Sequence, residues 1–144
     1  MPKSTSASNS ILALIFNATT WNLIAENDST SPATDLYLSL HTADPGVGGA
    51  QTTNETAYTN YVRIAVARTT GGWDAPASGA TANAALAQFA QCGVTGATLT
   101  HVAIGTDAAG AGLVLYAGAL TSSLAVANGI QPQFAAGALD VTEA

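Results

Sequence analysis

Between Leu36 and His41 apolar and polar residues alternate: Leu36, Leu38 and Leu40 fall on one face, Tyr37, Ser39 and His41 on the other. A period of two predicts a strand with one buried face. The same reading predicts strands at Tyr61–Val66 and at Thr98–Ile104, where Thr98, Thr100, Val102 and Ile104 alternate with Leu99, His101 and Ala103. Leu113–Tyr116 is the expected hairpin partner of the last of these, across the glycine-bearing connection Asp107–Gly112. The Ala-rich stretch Ala85–Phe89 reads as a strand. A weaker strand region surrounds Leu124, Val126 and Ile130, and Phe134 with Leu139–Val141 brings the last one. Turn chemistry separates these runs at Asp44-Pro45-Gly46, Gly71-Gly72 and the Pro76–Gly79 loop.

The beginning of the chain follows a different period. Leu12, Ile15 and Phe16 are at helical spacing, with Asn9 or Ser10 as the expected cap. Residues 1–8 have the composition of a flexible arm. Trp21, Leu23 and Ile24 continue the apolar content until the polar connector Glu26–Pro32. The expected fold is therefore mainly β. It is a single-domain antiparallel β-sandwich or barrel over residues 9–144, preceded by a short N-terminal helix and the arm 1–8. No internal repeat is visible.

Composition narrows the function classes. Charged residues make up 8% of the 144, and the formal net charge is −6. A typical soluble protein carries roughly 25% charged residues. A surface with so few charges must be covered by small neutral groups, which suits permanent association. Lys3, Arg63 and Arg68 are the only cations, so no basic footprint for nucleic acid or anionic lipid is expected. No apolar run approaches the length of about 18 residues needed to cross a bilayer. The run Ile11–Phe16 is short for a secretory signal, and no Ala-x-Ala site follows it. One cysteine, Cys92, excludes an internal disulfide and a cysteine-rich zinc site.

The inventory of chemistry is short. Cys92 with His41 or His101 would be needed for a thiol nucleophile, but no local signature surrounds it, and a small buried side chain is the plainer reading. Serine-elbow, phosphate-loop and calcium-loop patterns are all missing. No active site, no cofactor and no metal are expected. Arg63 and Arg68 stand out. Each is either a solvated charge or a bidentate clamp, between loop and strand or across a subunit boundary, with Glu55 as the nearest candidate partner of Arg63.

Taken in order, several segments resemble a known group. Leu36–Gly46, Asn54-Glu55, Asn60–Arg63, Trp73, Asn83, Thr100–Asp107, Leu113–Leu120 and Phe134–Asp140 are similar to small virion proteins of tailed bacteriophages. Some of these are labelled tail-fibre-like, and comparable proteins serve as capsid cement or decoration subunits. The resemblance covers roughly residues 10–142 and implies a structural protein of the virion. The expected role is a noncovalent cement that bridges subunits of the major capsid protein, self-associating as a homotrimer. The alternative is a tail fibre or tail-tip protein that aids host attachment, with Tyr58, Tyr61 and Trp73 stacking on sugars. Leu12, Ile15, Phe16 and Trp21 are the expected interface anchors, joined by Arg63 and Arg68. The competing role for the apolar four is to cover the protein's own core.

Overall fold

A computed structural model describes residues 4–21 and 32–143. Ser4 is extended, and its hydroxyl accepts from the Ala7 N–H at 3.2 Å, capping α1, Thr5–Phe16. The helix begins inside the stretch whose composition reads as an arm, because Ser4 caps as well as Asn9 and no Gly or Pro follows before Phe16. Residues 1–3 of the expected arm, and Leu23, Ile24 and residues 26–31 of the connector, lie outside the described residues.

Eight strands follow: β1 Asp35–His41, β2 Ile64–Ala67, β3 Ala80–Ala82, β4 Ala87–Gln88, β5 Ala97–Gly105, β6 Val114–Val126, β7 Gln133–Phe134 and β8 Asp140–Thr142. The fold is mainly β with antiparallel sheets and one short N-terminal helix, as the sequence predicts. It forms one four-stranded sheet in the order β2-β1-β5-β6 and two-stranded sheets β3-β8 and β4-β7. Among the described residues no barrel is closed, so the barrel form of the expectation is not realised. β1 runs antiparallel to β5 from Tyr37 opposite Gly105 to His41 opposite His101. β5 in turn runs against β6 from Ala97 opposite Val126 to Gly105 opposite Val114. Leu99 faces Leu124 but His101 faces Ala119, so residues 120–123 bulge out opposite Thr100 alone.

Local departures from the sequence reading have local causes. β2 starts at Ile64, later than the predicted Tyr61, because Tyr61 and Arg63 are engaged by side-chain bonds described below. The predicted strand Ala85–Phe89 shrinks to Ala87–Gln88. β6 joins the two predicted pieces Leu113–Tyr116 and Leu124–Val126 into one 13-residue strand.

The chain groups into two compact units, one of residues 1–35, 66–87 and 134–144, the other of residues 36–65 and 88–133. In the first, Leu12, Phe16 and Trp73 are fully buried, and the Phe16 and Trp73 rings meet edge to face at 4.6 Å. Arg68 closes the end of α1. Its Nε donates to the Ile15 carbonyl at 2.6 Å, Nη2 to that of Leu14 at 2.7 Å and Nη1 to that of Ala33 at 2.6 Å. Carbonyls in the last turn have no partner within the helix, and a cation there also opposes the negative end of the helix dipole.

A buried asparagine organises the rest of this unit. Asn83 is fully buried, and its Nδ2 donates to the carbonyls of Ala85 at 2.7 Å and Ala135 at 2.8 Å. Its Oδ1 accepts from the Leu139 N–H at 2.8 Å, and its own carbonyl accepts from Gly137 N–H at 2.7 Å. One side chain thereby supplies the ladder bonds that the irregular segment 135–139 cannot make for itself. Ser78 and Gly79, both at positive φ (53° and 79°), form a two-residue turn between Ala77 and Ala80. That pair of dihedrals suits a right-twisted hairpin.

Asn83→Asp is expected to destabilise the protein by roughly 2–4 kcal/mol, since it removes both donors and sets a carboxylate against two carbonyls. Urea unfolding of the two proteins side by side measures it. Equal midpoints would show that the Asn83 bonds contribute little.

Candidate functional site

In the second unit the chemically dense region is a cluster of polar side chains beneath the loops 42–60 and 106–112. It starts from Arg63. Its Nε and Nη2 donate to Oε1 and Oε2 of Glu55, both at 2.7 Å, a bidentate pair. Nη1 also reaches the carbonyl of Asp107 at 2.9 Å and Nη2 that of Gly110 at 2.8 Å. The Arg63 side chain is 3% exposed and that of Glu55 15%. Arginine suits this place because its planar fork offers several donors in fixed directions, which one ammonium cannot match. The hydrogen bonds and charge of Glu55 raise the Arg63 pKa, outweighing the opposing effect of burial.

Tyr61 and His41 extend the cluster. The Tyr61 hydroxyl donates to Glu55 Oε1 at 2.8 Å and accepts from the Leu40 N–H at 3.1 Å. Burial is the main cause that pushes its pKa far above the ordinary value. His41 is fully buried, with Nδ1 2.9 Å from the Thr53 carbonyl and Nε2 2.9 Å from Ser39 Oγ. A carbonyl only accepts, so Nδ1 carries the proton and the neutral ring accepts from the Ser39 hydroxyl at Nε2. Burial lowers the His41 pKa, and the charges of Arg63 and His101 add to this. The Thr53 bond and the charge of Glu55 oppose it.

Gln51 joins the two loops. It is fully buried, its N–H donates to the Gly112 carbonyl at 2.8 Å, and its Oε1 accepts from the Asp107 N–H at 2.9 Å. A Cβ on Gly105 or Gly112 would overlap the Gln51 side chain. The two glycines are thus required by a close approach. Their spacing was visible in the sequence, but Gln51, the reason for it, carried no signal.

The cluster is built to hold. Each strong acceptor and donor in it faces another group of the same chain, and no oriented nucleophile stands beside a base. Among the described residues no group of three His, Cys, Asp or Glu side chains is arranged to hold a metal ion. Cys92 is buried, with Sγ close to the carbonyls of Gly93 at 3.4 Å and Thr95 at 3.3 Å.

The residues singled out from sequence are scattered. Arg63 finds Glu55 as read from the sequence, as a clamp that ties loops together. Arg68 serves the end of α1, within the first unit. Leu12 and Phe16 are fully buried there, while Ile15 and Trp21 are half-buried. Trp73 is fully buried and Tyr58 is 2% exposed, so neither is available to stack on a sugar. The Tyr58 hydroxyl donates to the Ala90 carbonyl at 2.9 Å, and its pKa is pushed up to about 12, chiefly by burial. Tyr61, the third aromatic of that set, is half-buried and packs against Tyr58 and Phe89, at 5.3 Å and 6.2 Å between ring centres.

The family of the podophage GP4 fiber I protein gp80 matches residues 2–142. The chain belongs to that family, a family of phage structural proteins. No curated protein matches it.

Two outcomes test the cluster. Glu55→Ala, which leaves the guanidinium buried and unpaired, is expected to cost about 3–5 kcal/mol in chemical denaturation. A loss within the range of an ordinary surface pair would show that the clamp is solvated. For His41 the folded pKa lies below the model value of 6.5, so the unfolded chain takes up the proton first as pH falls. Stability is then fully present above that pH and declines below it. Denaturation midpoints measured from pH 8 down to about pH 5 are expected to fall less steeply for His41→Gln than for wild type. Parallel slopes would remove His41 as the cause.

Proposed function

We propose that this chain is a noncatalytic component of a phage tail fibre, a small rigid body that contributes surface to the fibre assembly. The observation that carries the reading is the family match, which runs over residues 2–142 and names a fibre protein. The geometry supports it in two ways. The buried side chains of the polar cluster are consumed in bracing loops, which is what a load-bearing surface requires of its interior. Arg63 and Arg68 are both committed to partners inside their own units, so among the described residues no cation is left to recruit a polyanion.

A capsid cement needs the same rigidity and the same neutral surface, and it is the competing location. The family description favours the fibre. Self-association belongs to either reading, since virion subunits occur in symmetric sets.

Quantitative mass spectrometry of purified particles, calibrated on the major capsid protein, separates the two locations. The fibre reading expects on the order of tens of copies per particle, as for other symmetric tail parts. Gold-labelled antibody is expected at the tail. Hundreds of copies with label over the shell would overturn the fibre in favour of cement, and absence from the particle would overturn both.

A further inference from the structure

The proposal below takes the fibre reading as its setting and assigns a contact within it. We propose that two copies of this chain pair through the outer edge of β6, segment Val114–Ala119 against the same segment of the second copy.

Among the described residues β6 is an edge of the four-stranded sheet. An edge strand presents backbone N–H and C=O groups that can template another strand, and proteins usually guard it with charge, proline or brevity. β6 has none of these guards. It is 13 residues long and contains neither a charged residue nor a proline. The uncharged stretch runs from Ala108 to Leu139 in a chain of net charge −6. Two acidic copies can meet along this strip without bringing carboxylates together.

Gly118 is the second observation. Its φ is outside the left-handed region, and a Cβ there would meet nothing within 4 Å. Neither a turn nor packing within the chain requires glycine at this position. Glycine inside a strand costs stability and marks places where another backbone comes close. Ala117 and Ala119 on either side are exposed, so the middle of the segment is nearly bare backbone.

The surroundings match. Of seven exposed large apolar side chains among the described residues, five flank the β5–β6 hairpin. Leu113 lies at one end, bridged to Ala50 on the loop that carries Val47. At the other end are Leu124, Val94 and Ile130, where Cys92 N–H donates to the Ile130 carbonyl at 2.8 Å. The bulge at 120–123 interrupts the ladder, which is why the pairing segment stops at Ala119. A strand paired with its own copy across a two-fold axis is a closed, isologous contact, and it does not propagate into a filament.

Sedimentation velocity of the full chain, up to roughly 100 μM, tests the pairing on wild type and two variants. Gly118→Lys and Ala117→Lys place charge on opposite faces of the edge, in exposed positions. Each is expected to raise the dimer dissociation constant at least about tenfold, with little change in melting temperature. In wild type, amide exchange across 114–119 is expected to slow as concentration rises. A wild-type chain that stays monomeric throughout overturns the pairing, as does association that both variants retain. A trimer unaffected by either lysine also overturns it while leaving the fibre reading intact. Absence of the chain from particles would remove the fibre reading and leave the measured dimer standing.

Discussion

Removing the Arg63 guanidinium from water is favourable only because every direction in which it donates is filled. Glu55 supplies charge and two oxygens, and the carbonyls of Asp107 and Gly110 accept the remainder. The desolvation of a buried ion pair can exceed its attraction when lone pairs or protons are left over. Here the leftover demands are met by loop backbone, so the geometry of three separate loops is set by one side chain. Tyr61 and His41 then occupy positions that this arrangement leaves open, and Gln51 fixes the far side of the same connection.

The fold class was legible because alternation is a local property of the chain. Leu36, Leu38 and Leu40 reveal β1, and Leu99, Ala103 and Ile104 on β5 are buried against the same core. The length of β6 was not legible. Its Ala, Thr and Ser residues carry little apolar contrast, and both of its faces are largely exposed, so burial imposes no pattern of two. β3 was missed for a related reason: three residues, two of them alanine, give no period to read.

The polar cluster was half legible. In a chain with three cations, an arginine eight positions from a glutamate invites pairing, and Glu55 with Arg63 follows from that scarcity. Gln51 and Asn83 were invisible as anchors, because amides are common on surfaces and become structural only when the fold closes over them. The aromatic set Tyr58, Tyr61 and Trp73 misled for the opposite reason. A large ring in a loop can serve a ligand or the interior with identical local sequence, and here the interior took it.

The first unit is assembled from three stretches of chain, and the last of them, 134–144, encloses Asn83 and pairs with β3. The second unit is nested between, complete by residue 133. On a ribosome, where residues appear at about 5–20 per second, all of the second unit's segments have been made before the Asn83 acceptors and donors around Ala135 and Leu139 exist. The N-terminal helix therefore waits through nearly the whole of translation for the strand that completes its surroundings, although Arg68 can close its end much earlier. A nascent chain stalled between 133 and 139 would carry a finished second unit beside an unclosed first one.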